Sequence, residues 1–352
     1  MTQTLGWPDA RTQPSPGVGW PGDPADAPPP ADDGAVSRET SPWGLLDVPT
    51  AAELARASAA QTESLPIAQA AAATVQARRL LRDELPRPAQ PRVLVVANQK
   101  GGVGKTTTAV NVAAGLALHG LRVLLVDMDP QGNASTALGL PHHAGEPSTY
   151  DVLVDGLPLH EAVRPCPDVP GLLGVPATID LAGADIELVG RDGRETLLRH
   201  ALAAYLRDYP VDYVLLDCPP TLGLLTVNAL VAGLEVLIPI QCEYYALEGL
   251  TQLLATIDLV RQGLNPHLVV STVLLTMFDA RTRLAGQVAD EVRAHFGDTV
   301  LPTVVPRSVR LSEAPGFGQT VHTYAPGSPG AMSYLQAARD IAHAAETTKE
   351  SA

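Results

Sequence analysis

Between Asn98 and Asn111 the chain reads NQKGGVGKTTTAVN, which places two lysines, three glycines and three threonines within positions 100–108. Glycines let backbone N–H groups close around an anion, a lysine supplies a point charge, and a threonine hydroxyl is a hard oxygen ligand for Mg²⁺. Gly104, Lys105 and Thr106 fit the end of the phosphate-loop pattern G-x-x-x-x-G-K-[ST]. That pattern assigns Lys105 to the β- and γ-phosphates of a nucleotide and Thr106 to Mg²⁺. Two features depart from it. Gln99 stands where the opening glycine belongs, and a second lysine, Lys100, sits beside it. Lysine is scarce here: of 24 basic residues only Lys100, Lys105 and Lys349 are lysine. Two of three in one loop is not compositional drift.

Carboxylates follow in two further runs. In LLVDMDPQGN, Asp127 and Asp129 are two residues apart at the end of an apolar strand, so both point the same way. In YVLLDCPP a second apolar strand ends in Asp217, the place of a carboxylate that holds Mg²⁺ directly or through water. The C-terminal ends of parallel strands are where such sheets bind ligands.

These residues need a scaffold. RVLVVAN, LRVLLVDMD, VDYVLLDCP, EVLIPIQ, LVVSTVLLTMF and TVLPTVVP are apolar runs without period-two alternation, separated by helical stretches such as ALEGLTQLLATIDLVRQGL. The fold class is therefore α/β: a P-loop NTPase with a largely parallel sheet covered by helices on both faces. Before this domain, residues 1–48 are rich in Pro, Gly, Ala and Asp, with ten of the chain's 32 prolines in the first 50 residues. Such a segment buries too little apolar surface to offset its ordering entropy and is expected to be disordered. Residues 49–90 are expected to form short helices, broken at Pro66, and a linker PRPAQP. The ATPase-like domain is expected over 91–346, with a loose end at 347–352.

Bulk properties narrow the classes. No apolar run approaches a membrane span, and the N-terminus has no basic start before an apolar core, so a cytoplasmic protein is expected. Cys166, Cys218 and Cys242 are scattered and form no C-x-x-C pair. A net charge of −14 argues against a generally basic nucleic-acid binder while leaving room for a local basic patch.

KGGVGKTT, with DMDPQGNAS, DCPPTLGLLTVNAL, QCEYYALEGL, LLTMFDART and PRSVRLSEAP, closely resembles the ParA/Soj chromosome- and plasmid-partitioning ATPases of bacteria. The likeness runs from about residue 92 to 345 and does not cover the first 90 residues. It implies ATP and Mg²⁺ as cofactors, with Lys100, Gly101, Gly102, Val103, Gly104, Lys105, Thr106 and Thr107 around the phosphates. Lys100 would be the signature lysine of a deviant Walker A motif, reaching across an ATP-sandwich homodimer to the partner's phosphates, as an arginine finger does. Asp129 would orient the attacking water, and Thr106, Asp127 and Asp217 would serve the Mg²⁺ shell. Adenine would lie near Pro306 and Ser308, where the family more commonly has Asn in place of Ser308. Arg281 and Arg310, with Arg283 and Arg307 as neighbours, would contact DNA phosphates without sequence preference. A ParB-type centromere-binding protein would accelerate slow basal hydrolysis, and the protein would be nucleoid-associated.

Three rival readings share the core. A membrane-bound MinD-like regulator needs a basic amphipathic C-terminal helix, whereas this end reads ARDIAHAAETTKESA. An iron–sulfur electron carrier needs cysteines at a spacing that Cys218 and Cys242 do not have. A ParA-like positioner of a protein cargo stays open on sequence alone.

Overall fold

The computed structural model describes residue 75, residues 79–244 and residues 250–350, the last six as backbone alone. The expected Pro-rich tail 1–48, the helices around Pro66 and residues 351–352 lie outside the described residues. All described residues belong to one compact unit, Ala59–Ala352.

Eight strands build one sheet: β1 (Arg92–Val96), β2 (Val123–Asp127), β3 (Arg164–Pro165), β4 (Leu172–Val175), β5 (Tyr213–Asp217), β6 (Glu235–Gln241), β7 (Val269–Phe278) and β8 (Val300–Pro306). Their spatial order is β3-β4-β2-β5-β1-β6-β7-β8. All neighbours are parallel except β3, which lies antiparallel on β4. The sequence shows no alternation because both faces are buried. Val93 and Val95 of β1 point into one apolar cluster, and Leu94 and Val96 into another. The first cluster is closed by α2 (Leu197–Asp208), α3 (Leu224–Ala232), α4 (Leu250–Gly263) and α5 (Arg283–Phe296). The second is closed by α1 (Lys105–Leu118) and α6 (Pro329–Glu350).

Helix α1 carries the phosphate loop, and its position is fixed by packing. Ala109, Val112, Ala113 and Leu116 are all buried, and α6 packs across it so closely that a Cβ built on Gly115 would stand 3.0 Å from Ala338 Cβ. The helix stops at His119, where Gly120 takes φ 83°, a left-handed turn that glycine adopts without strain.

Two boundaries differ from the sequence expectation. The end of the segment expected to be helical, and the PRPAQP stretch read as a linker after it, are docked on the domain. Leu85 is buried in the second cluster, and Arg87 pairs with Asp212 at 2.7 Å and donates to the Gly120 carbonyl at 2.7 Å. Leu80 O accepts from Arg339 Nη1 at 2.7 Å, and Asp83 pairs with Arg339 at 2.9 Å. Proline-rich spacing conceals these contacts because each partner is distant in sequence. At the other end, residues 347–350 continue α6 to Glu350. That run holds neither glycine nor proline, so no breaker ends the helix earlier.

Candidate nucleotide site

Strand register assembles the site. β2, β5 and β1 are adjacent, with Asp127 opposite Asp217 and Asp217 opposite Val96. Two carboxylates from separate strands therefore meet at one sheet edge, beside the loop that leaves β1. Within that loop Gly102 and Gly104 take φ 75° and 88°, conformations that a side chain would resist. Thr108 N donates to Gly104 O at 2.8 Å and opens α1.

The loop is pinned from two further strands. The buried Asn98 donates Nδ2 to Pro239 O of β6 at 2.8 Å and accepts from Lys100 N at 3.0 Å. From β7, Thr276 donates its hydroxyl to Val103 O at 2.8 Å. Neither residue was singled out in the sequence. Asn98 borders the motif, and Thr276 carries no local signal at all.

The two lysines occupy different environments. Lys105 is buried at 7% exposure, with Nζ 3.4 Å from Lys100 O. Desolvation lowers its pKa, while Asp217, Asp129 and Cys218 hold it up. Lys100 is partly exposed, and its Nζ lies 3.9 Å from Glu243. One cation faces inward, and the other stands at the surface of the loop.

The carboxylates also divide. Asp127 Oδ2 accepts from Ser135 N at 2.8 Å and Ser135 Oγ at 2.7 Å, and its Oδ1 accepts from Asp129 N at 3.1 Å. Burial nonetheless raises its pKa to about 6, against those hydrogen bonds. These bonds tie the end of β2 to the short helix Asn133–Ala137. Ser135, inside DPQGNAS, was not named from sequence. Asp129 is buried, and its Oδ1 accepts from Gln131 N at 3.0 Å. Asp217 is fully buried, and neither carboxylate oxygen has a hydrogen-bond partner. Burial holds its pKa well above the usual carboxylate range, the charges of Asp127 and Asp129 push the same way, and Thr106 and Lys105 pull it back.

Such an orphaned carboxylate beside a threonine hydroxyl and a desolvated ammonium fits a Mg²⁺–polyphosphate. Mg²⁺ takes one or two protein oxygens and fills its shell with phosphate and water.

Pro306 and Ser308 come to the same place. They line a cavity of about 190 Å³ with Gly104, Thr107 and Arg307. Thr106 and Thr107 open on a second cavity of about 280 Å³, with Asn133, Thr136 and Gln319 on its walls. Arg281 lies in the turn after β7 and Arg310 in the short helix Val309–Glu313 after β8, and each is ion-paired locally. Arg281 binds both oxygens of Asp279, at 2.9 and 2.8 Å, and Arg310 pairs with Glu313 at 2.8 Å. Arg283 begins α5.

Known proteins give the same picture. Residues 91–270 match the AAA_31 model, an AAA domain. The chain is 53% identical over 250 residues to the chromosome partitioning protein ParA of Myxococcus xanthus, covering 71% of this chain and 87% of that one. It is 53% identical over 251 residues to the sporulation initiation inhibitor protein Soj of Bacillus subtilis, covering 71% of this chain and 98% of that one. The chain belongs to the ParA/Soj family of chromosome-partitioning ATPases. Among solved structures, a Mycobacterium smegmatis protein described as cobyrinic acid a,c-diamide synthase, with bound ADP and magnesium, superposes with a TM-score of 0.61 at 39% identity, covering 71% of this chain and 93% of that one. The matched residues 91–270 take in the phosphate loop and all three carboxylates.

Proposed function

We propose that this ParA/Soj protein is an ATP-driven partitioning switch. With ATP and Mg²⁺ bound it pairs with a second copy, the pair holds DNA without regard to sequence, and hydrolysis releases it. The observation that carries the reading is the different placement of the two lysines. Lys105 is buried toward Asp217 and serves its own nucleotide, whereas Lys100 stands at the loop surface, where it can reach a partner's phosphates.

The chain's own residues then act in order. Backbone N–H groups of 101–105 ring the phosphates, and Lys105 bridges the β- and γ-positions. Thr106 and Asp217 would hold Mg²⁺, which would supply charge neutralisation at the phosphate oxygens. Asp127 holds the Asp129 loop in place, and Asp129 orients the attacking water. Lys100 stabilises the charge that builds on the transferring phosphoryl group of the opposite subunit. Basal turnover is slow because the loop carries no arginine finger of its own, and a ParB-type partner accelerates it. Pro306 and Ser308 flank the base. Arg281 and Arg310 meet DNA phosphates by exchanging their intramolecular carboxylates, which makes binding weak in one subunit and salt-sensitive in two. Such binding places the protein on the nucleoid, and no described helix is long and apolar enough to cross a membrane.

Diamide synthesis is a poorer fit. Drawing ammonia from glutamine commonly takes a reactive thiolate, and all three cysteines are buried, with burial pushing each thiol up.

The test is DNA co-sedimentation with no nucleotide, ADP, ATP and a non-hydrolysable analogue. Wild type should pellet with DNA only in ATP or the analogue, Asp129→Ala should stay bound in ATP, and Lys100→Ala should stay in the supernatant. Equal binding in all four nucleotide states would refute the switch.

A further inference from the structure

Glu243 stands where three loops of the site meet. It lies just past the end of β6, and its carboxylate is oriented. Its N–H donates to Gln241 O at 2.8 Å, and the Gln241 side-chain amide donates back to Glu243 Oε1 at 2.5 Å. Glu243 Oε2 is 3.9 Å from Lys100 Nζ, and Oε1 is 3.3 Å from Arg307 Nη2. The phosphate loop is registered on the same strand, because Asn98 binds Pro239 O of β6 and holds Lys100 N. Arg307 is fixed in turn by its N–H, which donates to Phe278 O at the end of β7 at 3.3 Å, and it lines the 190 Å³ cavity with Ser308. A single carboxylate thus spans the loop that cradles phosphate and the loop that flanks the base.

We propose that Glu243 is the resting counter-ion of Lys100, retaining it in its own subunit until a partner's ATP outbids the carboxylate. This deepens, and rests on, the reading that Lys100 acts across a dimer. The exchange is physically easy. The Lys100–Glu243 contact is long, and the side chains are 31% and 48% exposed, so water screens the attraction. A triphosphate carries several negative charges against one, and a closing interface excludes the water that weakens the pull. Glu243 is not left alone when Lys100 departs, since Arg307 and Gln241 keep hold of it. The carboxylate therefore sets a threshold: pairing begins only when ATP fills the site opposite.

The experiment measures dimer Kd by sedimentation velocity in Mg-ATP, in an Asp129→Ala background that prevents turnover. Adding Glu243→Gln should tighten the dimer about three- to tenfold, because two such contacts are released per dimer. ATP affinity of the dilute monomer should change by less than about twofold, a split that general loosening of the loop would not give. In a Lys100→Ala chain the same Glu243→Gln change should have no effect. An unchanged or weaker dimer, or a gain that persists without Lys100, overturns the proposal while the partitioning reading stands. If the Asp129→Ala background itself stays monomeric in ATP, the dimer reading fails and Glu243 falls with it.

Discussion

Acid should destabilise this protein through His322, a residue that touches no nucleotide. The ring is fully buried, its Nε2 lies 2.9 Å from Asn111 O on α1, and its Nδ1 has no partner. Asn111 in turn accepts from Val321 N at 2.9 Å and donates to Thr107 O at 2.8 Å, so the contact braces the helix that carries the phosphate loop. Burial lowers the His322 pKa from 6.5 to about 4. The hydrogen bond to Asn111 works against that shift, and the charge of His119 adds to it. The sign follows directly. Above pH 6.5 the imidazole is neutral folded and unfolded, so it adds no pH dependence. As pH falls from 6.5 toward 4 the unfolded chain takes up a proton that the folded chain refuses, and stability is lost. The loss is about 1.4 kcal/mol at pH 5.5 and about 3 kcal/mol once pH passes below 4. The assay is urea unfolding of the nucleotide-free protein at pH 7.5 and 5.5, followed by far-UV circular dichroism. His322→Gln keeps a donor for Asn111 O but cannot titrate. Its drop in stability between the two pH values should be smaller than that of wild type by about 1.3 kcal/mol, with Asp127 and every other group cancelling in the comparison. Equal drops in the two proteins would refute the assignment.

Two further outcomes are expected. Ser135→Ala removes a donor from the buried Asp127 and also the acceptor of Ala177 N at 3.0 Å. It should cost about 2–4 kcal/mol in urea unfolding at pH 7.5, and a cost below about 1 kcal/mol would mean that Asp127 is anchored by other means. Asp217→Asn replaces a carboxylate whose charged form burial and the neighbouring Asp127 and Asp129 disfavour, so the nucleotide-free protein should melt higher than wild type. The same variant should lose the extra thermal shift that Mg²⁺ gives in the presence of ATP. A lower melting point without nucleotide would sink the account of Asp217 as an orphaned carboxylate awaiting a cation.

The chain's local chemistry was legible without coordinates. The phosphate loop, Asp127, Asp129 and Asp217 each sit at the end of a continuous apolar run, and a strand buried on both faces must be apolar throughout. Glycines at 102 and 104 follow from the left-handed turns that the loop requires. Family motifs added Lys100 and the Pro306–Ser308 segment, which the structure does bring to the loop. Long-range anchoring was not legible, because a hydrogen bond between distant segments leaves no spacing to read. Asn98 finds Pro239 across 141 residues, Thr276 finds Val103 across 173, and His322 finds Asn111 across 211. The docking of Leu85, just before the PRPAQP stretch, and of Arg87 within it was hidden for the same reason. Sequence alone thus determined which residues could hold a nucleotide. The order β2-β5-β1-β6 decided where they stand, because that packing buries Lys105 beside Asp217 and leaves Lys100 outside, facing Glu243.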